Sequence, residues 1–175
     1  MIEDFFQHVI DLKKVKRKGW KNKLEIKNPE SVADHSYSLS TLSMVLADLQ
    51  GLDTKKILKM ALLHDLAESV VGDYTPEEIS KLEKIKLENS AMEKILSKLP
   101  TNLTKEYLKI WNEFQINKTQ ESEFLHEMDK FEMMLQAKQY INEGHSKEKA
   151  QIFIKTANNE IKNKKLRELL IQILT

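Results

Sequence analysis

The sequence predicts an all-α fold, and three observations carry that expectation. The 175 residues include only four Gly and three Pro, too few for the many turns of a β architecture. Apolar residues recur at steps of three and four along most of the chain, the period of one helix face. Start and stop signals punctuate these series, among them Ser31 with Asp34, Gly51, Asp53, Pro76 and Pro100. The length suits one domain over residues 1–175, long enough to bury a sizeable core.

Composition narrows the function classes. Hydrophobic residues make up 41% and charged residues 31%, as in ordinary soluble proteins. A formal charge of +1 provides no global field for nucleic acid or a membrane surface. The absence of cysteine excludes disulfides, thiolate zinc sites and a cysteine nucleophile, so any metal is held by His and carboxylates. No apolar run reaches membrane-spanning length and the N-terminus is not a signal peptide, so a cytoplasmic protein is expected.

Taken in order, residues 2–14 read as a helix with Phe5, Phe6, Val9, Ile10 and Leu12 as its stripe. Residues 15–30 break the period and form the most basic stretch, read as a loop. Among 28 basic residues only Arg17 and Arg167 are arginine. An arginine in so lysine-biased a loop suggests use of the guanidinium fork on an anion, with Trp20 as a nearby flat wall. Ser31 and Asp34 form a capping box that starts a helix running to about Leu49. His35 falls into the series Val32, Leu39, Leu42, Leu46 and Leu49, so it points inward.

Gly51 ends that helix, and Asp53-Thr54 opens the next, expected to run on through Val71. His64 is core-facing there, Asp65 lies on the adjoining side, and Glu68 follows four residues after His64 on the same face. Asp73 sits in the turn after Gly72, close enough along the chain to fold back over the helix end. A helix starting at Pro76-Glu77 and running to about 98 shows amphipathic spacing and no evident chemistry. Tyr107, Leu108, Trp111 and Phe114 mark a packing helix over 103–114. A long helix over 120–143 turns Asp129 inward with Leu125 and Met133, and His126 outward. Residues 146–174 form one or two amphipathic helices that close the core or a dimer.

Three helices thus present inward polar groups: His35, His64 with Asp65, and Asp129. Buried acids and imidazoles need compensation, and a cation is the simplest form of it. Two imidazoles with two carboxylates suit one divalent transition metal such as Mn²⁺, Co²⁺, Fe²⁺ or Zn²⁺ better than Mg²⁺ or Ca²⁺.

The order His, then His-Asp, then Asp resembles the HD superfamily of metal-dependent phosphohydrolases. The matching stretches are Ser31-Val32-Ala33-Asp34-His35-Ser36, His64-Asp65-Leu66-Ala67-Glu68 with Gly72-Asp73, and Met128-Asp129 through Ala137. With Arg17-Lys18-Gly19-Trp20 they are similar to the branch of 5′-deoxynucleotidases and HD domain-containing protein 2, over roughly residues 4–142. Glu68-Ser69 departs from the guanosine tetraphosphate hydrolases, and Gly72-Asp73-Tyr74 is not the Gly-Tyr-Pro element of the cyclic dinucleotide phosphodiesterases.

The resemblance implies an HD-domain helical bundle. His35, His64, Asp65 and Asp129 bind one divalent metal; Glu68 and Asp73 act as catalytic acids over it. Arg17 grips the substrate phosphate and Trp20 lies beside the sugar. The reaction implied is release of phosphate from deoxyribonucleoside 5′-monophosphates, by a homodimer without a nucleic-acid or membrane partner. Either Glu68 or Asp73 protonates the leaving 5′-oxygen. The alternatives are another HD phosphohydrolase chemistry, or a metal-stabilised protein with the fold and no turnover.

Overall fold

Helical caps written in the sequence set most element boundaries. The computed structural model describes residues 1–174. In order these form α1 (Ile2–Asp11), a 3₁₀ turn (Leu12–Lys14), α2 (Lys18–Leu24), α3 (Val32–Gln50), α4 (Thr54–Leu63) and α5 (Glu68–Val71). Then follow α6 (Lys81–Leu96), α7 (Thr101–Ile116), α8 (Gln120–Asn142), α9 (Lys147–Glu160) and α10 (Lys164–Leu174). The all-α expectation is borne out: extended pairing among the described residues is a single antiparallel bridge between Lys16 and Ser31.

The capping box at Ser31 forms as expected: the Asp34 amide donates to Ser31 Oγ at 3.1 Å, and the Ser31 amide donates to Asp34 Oδ2 at 2.8 Å. Gly51 ends α3 in the left-handed region at φ 69°, which a side chain would resist. Asp53 caps α4 by accepting the Lys56 amide at 3.0 Å.

The helices pack around one principal core. α3 lies against α4 and α8, α4 against α7, and α9 along α8. Leu39, Ile57, Met60, Met92, Leu125, Met128 and Met134 are fully buried there. Each such side chain contributes about 1.5–3 kcal/mol by leaving water, enough to hold a costly carboxylate like Asp129 beside Leu125 and Met128. Ile161, Leu166 and Leu170 join the same core, so the C-terminal helices help to close it. A smaller cluster gathers Trp20, Leu24 and Ile26 against Ala137, Tyr140 and Ala150.

Four expectations are corrected. The basic stretch is not all loop: Lys18–Leu24 is helical, pinned by burial of Trp20 and Leu24, a tertiary cause that a seven-residue segment cannot display as periodicity. The helix opened by Asp53-Thr54 ends at Leu63 and does not run to Val71. After Leu63 the chain tightens into i→i−3 bonds, with the Leu66, Glu68, Ser69 and Val70 amides donating to Leu63, Asp65, Leu66 and Ala67. α6 starts at Lys81, because Ser80 and Glu83 form its capping box while Glu78 is drawn back to accept the Thr75 amide at 2.9 Å. His126 does not face outward; it is half-buried, stacked on Phe114 with ring centroids 4.1 Å apart.

Candidate metal centre and substrate cleft

Three pieces of backbone bring the inward polar groups together. His35 lies one turn into α3, where the Ser31 cap fixes its phase. His64 and Asp65 sit where α4 tightens, and Asp129 lies midway along α8. The 3₁₀-like bonding there has about three residues per turn, so Glu68 stacks over Asp65 instead of over His64 as α-helical spacing predicts. The Lys16–Ser31 bridge holds the preceding segment across the start of α3: the Arg17 amide donates to the Glu30 carbonyl at 3.1 Å, and the Val32 amide to that of Val15 at 2.9 Å.

Both imidazoles are buried and their tautomers are assigned by their partners. His35 Nδ1 donates to Glu132 Oε2 at 2.6 Å, and His64 Nδ1 donates to the Ala61 carbonyl at 2.7 Å. In the neutral imidazole each Nε2 then carries the lone pair, and each is buried without a hydrogen-bond partner. Asp129 Oδ1 lies 3.2 Å from His35 Nε2, and Asp65 Oδ2 lies 3.0 Å from His64 Nε2 and 3.9 Å from His35 Nε2. These approaches lack hydrogen-bonding geometry. His35, His64 and Asp129 offer ligand atoms all within 4.8 Å of one another. Two orphaned nitrogens facing carboxylates are the donor set a divalent cation requires, so the residues present fit a metal.

The electrostatics point the same way. Burial and Arg17 oppose a proton on His35, yet Asp129 and Glu132 outweigh them and push its pKa up to about 9. Burial works against the Asp65 anion, but His64, His35 and Arg17 hold its carboxyl well below the usual range. Burial likewise opposes the Asp129 anion, and Lys130, His35 and Arg17 overcome it. The field of these groups attracts positive charge, whether proton or metal.

The centre opens into a cavity of about 360 Å³, lined among others by Arg17, Trp20, Asp65, Glu68, Asp73 and Asp129. Every residue expected at the site is thus at the cavity or, for His35 and His64, buried directly beneath it. Arg17 is held loosely, with Nη1 3.7 Å from Asp65 Oδ2 and Nε 3.8 Å from Glu30 Oε1. Trp20 is only 1% exposed, its Nε1 donating to Glu30 Oε1 at 2.8 Å, so it touches the cavity as a fixed inner wall. Asp73 Oδ2 accepts the Lys18 amide at 2.5 Å, tying the turn after α5 to the start of α2. Glu68 is buried: Oε1 accepts from Lys84 Nζ at 3.1 Å, and Oε2 has no partner. Burial first, then Asp65 and Asp73, push its pKa well up, against the opposing pull of Lys84.

Sequence reasoning missed Glu132, Glu30, Lys84 and Lys130. Glu132 carried a signal: it lies three residues after Asp129, on the same side of α8. Lys84 carried none, being one of many lysines on an amphipathic helix read as free of chemistry. It reaches both Glu68 and, at 3.4 Å, Glu88. Lys130 Nζ lies 2.9 Å from Asp129 Oδ2.

A family model described as HD domain matches residues 9–170. The 5′-deoxynucleotidase HDDC2 of Dictyostelium discoideum is 38% identical, over 97% of this chain and 95% of its own. The human 5′-deoxynucleotidase HDDC2 is 34% identical over 97% of this chain and 82% of its own. A solved structure of a Pyrococcus horikoshii protein superposes with a TM-score of 0.82 at 30% identity, covering 99% of this chain and 98% of that one. With the family model spanning most of the chain and relatives of 34–38% identity spanning nearly all of it, the chain belongs to the HD domain family.

Proposed function

We propose that this chain is a metal-dependent 5′-deoxynucleotidase that releases phosphate from deoxyribonucleoside 5′-monophosphates. The observation that carries the proposal is the pair of buried, partnerless imidazole nitrogens facing Asp65 and Asp129 at the base of a cavity that also holds Arg17 and two further acids. Relatives named as 5′-deoxynucleotidases that span nearly all of the chain support the same activity.

In this reading His35, His64, Asp65 and Asp129 hold one divalent transition metal. When bound, such an ion polarises a phosphoryl oxygen and makes a water acidic enough to lose a proton near neutrality. Glu132 and the Ala61 carbonyl keep both imidazoles in the tautomer that presents Nε2. Arg17, with donors left over from two long contacts, neutralises charge on the phosphoryl oxygens. Glu68 is the general acid. Burial, Asp65 and Asp73 raise its pKa and so favour the protonated form, and its partnerless Oε2 is the oxygen free to give a proton to the leaving 5′-oxygen. Asp73 is spoken for by the Lys18 amide and shapes the rim of the cleft instead. Trp20, fixed by Glu30, stands as the wall beside the sugar.

Phosphate release from a panel of deoxy- and ribonucleoside monophosphates, with Mn²⁺ or Co²⁺ supplied, tests the activity. No release from any of them sinks it.

The proposal extends to a single-domain homodimer in the cytoplasm. No helix of the described residues is long and apolar enough to cross a membrane. Phe6, Val9 and Ile10 on α1, with Tyr37 and Leu62, leave apolar surface exposed for a second copy. Sedimentation at micromolar concentration returning only the monomer mass removes that part.

A further inference from the structure

The chain beyond residue 146 carries no motif, yet α9 forms one side of the cleft. Ile152, Phe153 and Thr156 line the same cavity as Arg17, Asp65 and Asp129. The ionic groups of that lining come from the Arg17–Lys23 segment, the 65–73 turn, α6 and the middle of α8; α9 contributes no charged side chain to it. α9 therefore gives the cleft a wholly uncharged side, while the other elements carry its ionic groups.

The uncharged part is braced rather than loose. Phe153 packs on Trp20 with ring centroids 4.2 Å apart, and Trp20 is held from behind by an edge-on contact with Tyr140 and by Glu30. Ile152 stands beside Phe153 and is 47% exposed, an aliphatic branch facing solvent. Thr156 Oγ1 donates to the Ile152 carbonyl at 2.9 Å, which uses its one proton and leaves only lone pairs for a ligand. This surface suits a flat, largely apolar ring. With one acceptor hydroxyl and no free donor from α9, it has little means of telling one ring from another.

We propose that the Ile152–Phe153 face of α9 seats the base of the nucleotide by apolar contact. It thereby favours nucleotides over bare sugar phosphates, and its own contacts do not tell one base from another. The inference rests on the nucleotidase reading of the cleft and adds the element that recognises the far end of the substrate.

Steady-state kinetics of the metal-loaded full chain test it with deoxyadenosine 5′-monophosphate, thymidine 5′-monophosphate and 2-deoxyribose 5-phosphate, which keeps the sugar and phosphate but has no base. The wild-type protein is expected to prefer both nucleotides over the baseless compound by about tenfold or more in kcat/KM, the range one apolar contact commands. Ile152→Asp is expected to shrink that preference to about threefold or less, mainly through KM, with Ile152→Asn intermediate and Ile152→Leu retaining it. A preference that survives intact in Ile152→Asp overturns the inference and leaves the nucleotidase reading standing. So does an equal loss on substrates with and without a base, which marks a structural effect. Phosphate release by the wild-type protein from none of the three overturns both.

Discussion

Glu132 Oε2 and His35 Nδ1 meet at 2.6 Å across 97 residues of chain, both wholly inside the protein. A carboxylate in that position fixes which imidazole nitrogen is bare and raises its basicity. Glu132→Gln keeps the shape but replaces a pure acceptor with an amide that can donate, which lets Nε2 take the proton instead. Metal affinity is expected to fall by about 10–100-fold. Calorimetric titration with Mn²⁺ checks it, and an unchanged Kd would show that Glu132 merely packs.

Asp65 and Glu68 are three residues apart and stack in the tightened turn, but their tasks differ. Asp65→Ala is expected to lose the metal. Glu68→Gln is expected to keep it while kcat drops by about 10²–10⁴-fold, the usual worth of a positioned acid. Elemental analysis alongside turnover separates the two. A fully metallated Asp65→Ala protein contradicts the ligand assignment.

The pKa of about 9 at His35 implies a proton in the metal-free centre at neutral pH. Metal uptake must expel it, so binding near pH 7.5 releases about one proton, and affinity strengthens as pH rises toward 9. Titrations in buffers of different ionisation enthalpy read the proton directly. A binding enthalpy indifferent to the buffer rules this out.

Glu68 also sets a pH dependence of stability in the metal-free protein. Burial, Asp65 and Asp73 raise its folded pKa above the 4.5 of a free carboxyl. Between those two values the folded state binds a proton that the unfolded state has lost. Stability therefore falls as pH climbs through that window. Glu68→Gln removes the titration, so its gain in Tm over the wild-type protein should be larger at pH 8 than at pH 5. A gain that is flat with pH means that Glu68 does not titrate there.

The legible parts of this protein were those with local chemistry. Ser31, Gly51 and Asp53 announce helix ends by hydrogen bonds made within a few residues, and His35 and Asp129 announce their direction by falling into apolar series. What escaped depends on distant chain. α2 exists because Trp20 and Leu24 find Tyr140 and Ala150, more than 100 residues on. The change of pitch after Leu63 leaves the apolar pattern intact, so nothing in the spacing reveals that Glu68 joins Asp65 rather than His64. Lys84 resembles its solvated neighbours until Glu68 is placed beside it. Four-motif resemblance supplied what spacing could not, since adjacent His64 and Asp65 point about 100° apart on a regular helix.

The antiparallel pairing of Lys16 with Ser31 makes the intervening stretch a closed excursion that leaves and returns at one place. Its ends are clamped together, so a residue gained or lost between Lys18 and Glu30 is absorbed inside the excursion. The placement of Arg17 in space relative to His35 survives. A change of length within α2 would shift the wall that Trp20 provides, while the pairing keeps Arg17 in place against the start of α3.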